Sequence, residues 1–463
     1  MKNRVLKVFA FGSMGLLMPI LVAATLIEKL YGTHFALKSI YYSPWFIALW
    51  SLLAVSAMTY TLRVSRRATL IMLHASFIVI LCGALVSFLT SQHGNILLAK
   101  KAVPASMFTT DEGKLEKLPF TLQIADIDTI YSKNDDTPSD YRAHIFANDR
   151  KDCSTLTASL NNPIKFKDYS FCIKGAENGN LSLLVTRDTF GIPISYTGYL
   201  MMFVSFIMLF IDKRSGFRNI LQQLKGNNNR TATTRRFIFD KRGILLATTT
   251  IIICTRWYRT GVFPTTNGAE SLIFLAWATL AVATILGRYN HHKFSTSPLL
   301  VLSVIALIAG LAGIWNGENG IQPILRSPLL GIHVTTIIIA YALLCCTAIN
   351  AVVALCSKNN ERVKTLTLFG RALLYPTTML LATGIFIGAI WANISWGRYW
   401  GWDPKEVWAL VTLIGCSFVF HTRSLPFIAK PLFFHRYCIL LFLLMLFTYL
   451  GVNLLLDGMH SYM

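Results

Sequence analysis

With 463 residues, 54% of them hydrophobic and only 14% charged, the chain is too apolar for an ordinary soluble fold and reads as a membrane protein. Its formal charge of +21 suggests a nucleic-acid partner, but the Lys and Arg residues lie in short tracts between apolar runs. That is the positive-inside pattern, so the charge reports orientation, and a nucleic-acid function is set aside. Nine cysteines include no CxxC pair and no zinc spacing. Cys82, Cys254, Cys345, Cys346, Cys356, Cys416 and Cys438 fall in apolar runs, where a thiol is a small hydrophobe. Cys153 and Cys172 fall in a polar segment and could pair if it faces an oxidising compartment.

Apolar runs near the bilayer-spanning length of roughly 20 residues recur along the chain. The first, 8–27, follows M-K-N-R-V-L-K and could pass for a signal peptide. No small-residue cleavage site follows before Glu28, so a retained span is expected. Spans at 45–62 and 68–89 flank Arg63, Arg66 and Arg67, and His74 lies roughly 10 Å past Arg67 into the third span. Residues 91–194 change character: charges nearly balance, apolar residues alternate in F-T-L-Q-I-A-D-I and K-F-K-D-Y-S-F-C-I-K, and N-N-P and E-N-G-N punctuate them. This predicts a small mostly-β extracytoplasmic domain. A fourth span, 195–211, returns to the tract 212–242, where nine Lys/Arg meet two Asp, read as a basic cytoplasmic linker and the best domain boundary. Further spans follow at 243–257, 272–286, 298–315, 334–355, 376–390, 407–420 and 433–450. The expected fold is a polytopic α-helical membrane protein of about eleven transmembrane helices with one β domain. The odd count puts the N-terminus inside and the last residues, D-G-M-H-S-Y-M, outside.

Between the ninth and tenth spans, residues 391–408 read W-A-N-I-S-W-G-R-Y-W-G-W-D-P-K-E-V-W. Five tryptophans, a tyrosine and four charged residues share eighteen positions. An interfacial aromatic belt would explain two or three of the tryptophans. It does not explain W-x-W-D-x-K-E running on with Gly397, Gly401 and Pro404, which suggests a shaped loop. Indole faces from Trp391, Trp396, Trp400 and Trp402 suit a large flat apolar ligand, and Arg398 and Lys405 could address its polar edge. D-P-K-E also reads as a helix start, with Asp403 capping, Pro404 first and Glu406 third. Asp403, Lys405 and Glu406 are therefore open between catalysis, anion binding and fixing the loop.

The ten histidines sort by side. His333 opens the eighth span at the outer face and His460 follows the eleventh there, with the tryptophan loop between them in sequence. Two neutral imidazoles beside a flat aromatic shelf are what axial ligation of a haem iron requires. His74, within the third span, and His421, closing the tenth, form a second candidate pair near the inner face, although His421 could equally sit at the water boundary. His34, His93, His144, His291, His292 and His435 are read as solvated loop residues.

At these residues the chain resembles the system II cytochrome c synthases, the CcsB–CcsA pair, in fused single-chain form. W-G-x-x-W-x-W-D-x-K-E is similar to the WWD signature of haem-handling proteins, and R-W-Y-R-T-G-V-F-P-T-T-N-G-A-E-S-L-I-F-L-A-W to the family's other outer segment. His333 and, in G-V-N-L-L-L-D-G-M-H-S-Y, His460 match the external haem-ligand histidines; His421 and His74 match the membrane pair. L-P-F-T-L-Q-I-A-D-I, L-N-N-P-I-K-F-K-D-Y-S-F and R-D-T-F-G-I-P-I-S-Y-T-G-Y resemble ResB-like proteins, although the external domain is much shorter than in many relatives. The resemblance implies a ResB-like part at 1–211, the linker at 212–242 and a CcsA-like part at 243–463, in a bacterial inner membrane. It implies haem b passing from His74 and His421 to His333 and His460, then thioether attachment to the C-x-x-C-H of an apocytochrome c, with a thiol reductant system serving the acceptor. Asp403 joins His333 and His460 as a catalytic candidate. Two other classes stay open: a haem exporter without synthase activity, and a bis-histidine cytochrome subunit for electron transfer.

Overall fold

A computed structural model describes residues 2–100, 103–132, 135–149, 152–177, 180–226, 241–287, 293–316, 323–456 and 458. The chain opens with α1 (Lys2–Tyr31), a short α2 (Thr33–Ala36), a π-helical turn at Leu37–Tyr41, then α3 (Pro44–Val64) and α4 (Ala68–Thr90). The dipeptide Ser43-Pro44 starts α3: the serine hydroxyl accepts from the Phe46 amide and proline, lacking an amide proton, fits the first turn.

Eight strands follow: β1 (Gln92–Ala99), β2 (Ala105–Thr110), β3 (Leu115–Ser132), β4 (Asp135–Asp149), β5 (Asp152–Ser159), β6 (Ile164–Phe166), β7 (Tyr169–Glu177) and β8 (Asn180–Arg187). They form one antiparallel sheet in the order β5-β4-β3-β2-β1-β8-β7-β6. β5 and β6 lie at opposite ends of that order, yet only residues 160–163 connect them. So short a link cannot cross a flat eight-stranded sheet, and the sheet must curl until its edges approach. Alternating apolar residues fill the inside, among them Phe108, Phe120, Phe171, Leu181 and Leu183. The β domain expected over 91–194 is thus present.

The second half is helical: α5 (Gly191–Ile211), α6 (Gly216–Gly226), α7 (Lys241–Thr260), α8 (Gly268–Gly287), α9 (Lys293–Asn316), α10 (Pro328–Leu355), α11 (Asn360–Trp396), α12 (Pro404–Phe418), α13 (Pro426–Ala429), α14 (Pro431–Leu446) and α15 (Val452–Leu455). By length and composition, eight helices among the described residues are long and apolar enough to cross a membrane: Asn3–Tyr31, Pro44–Val64, Ala68–Thr90, Gly191–Leu224, Gly268–Ile285, Pro328–Leu355, Asn360–Trp396 and Pro431–Leu455. The remaining expected spans, 243–257, 298–315 and 407–420, coincide with α7, α9 and α12, which are shorter or more polar; α9 carries the apolar stretch Pro298–Gly313. The protein is therefore a polytopic helical membrane protein carrying a β domain.

The tract 212–242, read as a linker, carries a helix near its start: Gly216–Gly226 folds as α6, and Phe217 packs on Phe210 and Tyr375 with ring centroids 4.6 and 5.5 Å apart. Residues 227–240 of that tract lie outside the described residues. His435, expected in a solvated loop, is 1% exposed inside α14, its Nε2 2.9 Å from the Thr367 hydroxyl.

α4 and α5 enter and leave the β domain as a close antiparallel pair. Their seam is built from small residues: a Cβ on Gly83 or Gly191 would strike the backbone of Ser195 or Ser87 respectively. The pair holds the β domain over one end of the bundle. α11 reaches the same end, and its last residues touch β7: the Cys172 thiol lies 3.4 Å from the Ile394 carbonyl.

Candidate functional site

The site begins with two imidazoles brought together by different halves of the chain. His74 projects from α4 and His421 from the 3-10 turn Val419–His421 that ends α12, with ring centroids 6.4 Å apart and planes at 86°. His74 Nδ1 donates to the Leu70 carbonyl at 2.8 Å and His421 Nδ1 to the Ser417 carbonyl at 3.0 Å. A carbonyl only accepts, so both protons sit on Nδ1 and both Nε2 atoms carry lone pairs. Neither Nε2 has a hydrogen-bond partner among the described residues. A metal–imidazole bond of about 2.1 Å places two rings sharing one metal roughly 6–6.5 Å apart between centroids. No group of three or more His, Cys, Asp or Glu among the described residues could hold a bare ion. Two imidazoles alone suffice for an iron whose other ligands come from a porphyrin.

Both histidines line a cavity of about 1750 Å³ that continues between α3, α4, α5 and α12 to the tryptophan loop and the edge of the β domain. Its walls are mostly apolar, with Phe77, Leu81 and Phe88 from α4 and Leu410, Leu413 and Ile414 from α12. At the far end stand Trp400, Trp402 and Arg398, the expected ligand-facing residues, joined by Tyr42 and His93. Trp402 stacks on Tyr41 at 4.6 Å and 12° and meets Phe46 and Trp400 edge-on at 5.6 and 5.8 Å. It holds φ at +60°, unusual for a bulky residue, so the surrounding rings fix it in a conformation that costs about 1–3 kcal/mol.

The β domain clamps this loop. Gly397 ends α11 in the left-handed region, φ +71°, and its carbonyl accepts from the Thr186 hydroxyl at 2.8 Å. The Ser395 hydroxyl donates to Asn161 at 3.2 Å. Beneath the loop runs a directed chain: Ser195 donates to the Tyr399 hydroxyl at 3.2 Å, Tyr399 to Ser87 at 3.1 Å, and Ser87 to Asp188. Burial pushes the Tyr399 phenol above its ordinary range, keeping it a neutral donor. His93, expected to be solvated, is half-buried in the cavity wall; burial first and the Arg398 guanidinium second hold it below the usual histidine range, so the imidazole is neutral. Cys172 is buried and Cys153 exposed, and both are free thiols.

The tryptophans do not form one shelf. Trp391 and Trp396 pair at 4.7 Å and turn away from the cavity into a cluster with Leu325 and Leu330 at the start of α10. His333 stands on that side, its Nδ1 donating to the Gly384 carbonyl at 2.7 Å, and Gly388 leaves room for its ring. It lines neither the large cavity nor the pocket between the 260–266 loop and α10. Asp403 and Glu406 complete a capping box: Asp403 accepts from the Lys405 amide at 3.0 Å, and Glu406 from the Gly401 and Asp403 amides at 2.9 and 3.2 Å. The Lys405 ammonium donates to Asn453 at 2.9 Å, tying α12 to α15. His460 lies outside the described residues, as do His291 and His292. Gly458 sits against Asp403, so close that a Cβ there would stand 2.6 Å from its carboxylate.

Sequence reasoning missed Tyr41, Tyr42, Phe46 and His93, and the chain Ser87–Asp188. The adjacent aromatics in I-Y-Y-S-P-W were the available signal, since paired tyrosines beside a helix start mark an interface.

The Cytochrome C assembly protein family matches residues 265–460, and the ResB-like family residues 63–191. Cytochrome c biogenesis protein CcsA of Chlamydomonas reinhardtii is 32% identical over 236 residues, 46% of this chain and 64% of that protein. Protein NrfI of Wolinella succinogenes is 30% identical over 228 residues, 47% of this chain but 25% of that protein. CcsA of Amborella trichopoda is 30% identical over 258 residues, 46% of this chain and 81% of that protein. The chain thus spans under two thirds of the first two relatives and about four fifths of the third. With its assembly half preceded in the same polypeptide by a ResB-like half, the chain belongs to the CcsA family of cytochrome c biogenesis proteins, in the fused CcsB–CcsA organisation.

Proposed function

We propose that the protein is a holocytochrome c synthase of the bacterial inner membrane that carries haem b outward and attaches it to apocytochrome c. The observation that carries this reading is the His74–His421 pair: two neutral imidazoles at iron-sharing distance, each with Nδ1 tied down and Nε2 presented to one long apolar cavity. Haem is the substrate. It binds between these rings after entry from the cytoplasmic side and moves along the cavity to the aromatic faces of Trp400 and Trp402, where Arg398 meets its polar edge. Eleven spans put the N-terminus in the cytoplasm and the tryptophan loop, β domain and C-terminus outside.

His333 lies outside that cavity, so haem leaves Trp400 and Trp402 to be ligated at the outer face by His333 and His460. The packing of Gly458 on Asp403 supports this, because it brings the chain to within two residues of His460 at the base of the loop. An acceptor C-x-x-C-H segment then adds its thiols across the haem vinyls. Each S–H bond breaks, a C–S bond forms to one vinyl carbon and the proton goes to the other, so no net oxidation occurs; an external thiol reductant keeps the acceptor cysteines reduced. The protein's part is positional, holding vinyl against thiol. Asp403 acts by fixing the loop, as its capping geometry supports.

The test is an absorption spectrum of the purified protein before and after dithionite, with co-expressed apocytochrome c scored for covalent haem. A low-spin bis-imidazole spectrum lost in His74→Ala and His421→Ala, with attachment lost in His333→Ala and His460→Ala, is expected. An unchanged haem spectrum in His74→Ala would overturn the inner site. Covalent attachment separates the synthase from an exporter, which would leave the acceptor unstained.

A further inference from the structure

One cation in the cavity has no assigned role. Arg371 lies on α11 between its polar start and the apolar run from Pro376, inside a helix long enough to cross the membrane. A half-buried guanidinium in such a helix is costly unless an anion or several acceptors meet it. Among the described residues no carboxylate pairs with it. One Nη2 contacts the Ala429 and Ile428 carbonyls at 3.1 and 3.5 Å, and the guanidinium lies 5.3 Å from the Phe434 ring centroid. Its Nε is buried without an acceptor. The group is therefore held in place by neutral carbonyls and a ring face, with no carboxylate among the described residues to balance its charge.

Arg371 lines the same cavity as His74 and His421. One turn along α11, Tyr375 packs on Phe420, the residue before His421, with centroids 4.5 Å apart. Two other arginines reach this end: Arg67 already donates to the Arg214 carbonyl at 2.6 Å, and Arg423 is exposed. Arg398 stands at the opposite end, beyond the aromatic faces, with α4 rising roughly 24 Å between His74 and Thr90. A planar macrocycle held by its metal between His74 and His421 would present an edge to Arg371 and not to Arg398.

We infer that Arg371 is the carboxylate receptor of the His74–His421 site: it takes a propionate of the bound porphyrin, sets that edge toward the α6–α13 end of the cavity, and selects free-acid haem over uncharged porphyrins. This rests on the reading of the histidine pair as a haem site. A charge-assisted hydrogen bond formed away from water is worth about ten- to a hundredfold in affinity.

The test titrates the full-length detergent-solubilised protein, stripped of haem, with haem and separately with haem dimethyl ester, following the bis-imidazole absorption band. Wild type should bind haem about ten- to a hundredfold more tightly than the diester. Arg371→Gln should lose that preference by weakening haem alone, with the band and the diester affinity unchanged, and Arg371→Lys should keep part of it. Equal preference in Arg371→Gln and wild type would overturn the inference while leaving the histidine site intact. If Arg371→Gln binds neither ligand, Arg371→Lys decides: preference retained supports the carboxylate contact, and preference lost with the diester still bound refutes it. Absence of any bis-imidazole band in wild type would instead remove the haem site itself.

Discussion

The seat of His333 offers a way to perturb the proposed outer ligand without substituting it. Alanine at Gly388 would place a Cβ 2.6 Å from Cε1 and 2.7 Å from Nδ1 of His333. Carbon contacts ordinarily stand about 3.5–4.0 Å apart, so the ring must move by roughly 1 Å. Its 2.7 Å bond to the Gly384 carbonyl cannot survive that shift unchanged. The lost bond costs about 0.5–1.5 kcal/mol and the overpacking about 1–3 kcal/mol, which leaves a protein that still assembles. Catalysis is more sensitive, because a displacement of about 1 Å in a positioning group costs on the order of 10²-fold. Haem-stained gels of co-expressed cytochrome c should therefore show attachment falling by about that factor, while the haem band of the His74–His421 site persists. Gly415→Ala is the control: its Cβ meets Leu441 Cδ2 at 2.9 Å between α12 and α14, straining packing at the flexible tip of an apolar side chain without touching the partners of His333. If both variants attach haem equally well, the assigned role of His333 is wrong.

Asp403 separates capping from chemistry by two substitutions. Asp403→Asn keeps an N-cap acceptor and should retain attachment, whereas Asp403→Ala should lower the thermal midpoint by the equivalent of about 1 kcal/mol; loss of attachment in Asp403→Asn at normal stability would make the carboxylate catalytic. Tyr399→Phe removes one donated and one accepted hydrogen bond beneath the loop, about 1–3 kcal/mol together, and should lower the thermal midpoint with haem content unchanged. Burial pushes the Cys172 thiol up to about 11, so it stays protonated and unreactive at neutral pH and becomes nucleophilic only as pH approaches that value. Iodoacetamide mapping at pH 7.5 should find Cys153 modified and Cys172 spared, and rapid modification of Cys172 would contradict its place under α11.

Depth along a helix was readable from the sequence; direction around it was not. Distance from Arg67 placed His74 and the end of an apolar run placed His421, but at depths that differ unless the helices tilt, so their meeting was not fixed by the sequence. D-P-K-E announced its own cap, and the alternation in 91–194 announced the β domain. The tryptophans were misjudged as one shelf because counting residues cannot say that Trp391 and Trp396 turn toward Leu325 while Trp400 and Trp402 turn toward Tyr41. Helices apolar on every side carry little facing information. His435 was misplaced for a related reason: P-L-F-F-H-R-Y reads as a span boundary, yet Thr367 on α11 supplies a buried partner that no local pattern encodes. His93 was taken for a loop residue although it begins a strand directly beyond α4, in the cavity wall.

The composite nature of the site gives the fused chain a physical meaning. His74 falls within the ResB-like match and His421 within the assembly match, and Tyr41 and Phe46, ahead of the first match, pack on Trp402 in the second. Trp408 donates to Thr25 at 3.2 Å, and the Lys29 ammonium to the Leu455 carbonyl at 2.6 Å. Neither half alone encloses the cavity or supplies both imidazoles. A covalent link turns their association into an intramolecular event. Cutting the chain within 227–240 should therefore leave the haem spectrum intact while the halves remain together. Mutating the α1 contacts should matter chiefly in the cut form, where Lys29→Ala with Trp408→Phe removes two hydrogen bonds of about 0.5–1.5 kcal/mol each and weakens the bis-imidazole band without abolishing it, because the apolar seam of Leu17 and Leu21 with Val407 and Val411 still joins the halves. Retention of that band by either isolated half would show that the two histidines do not share an iron.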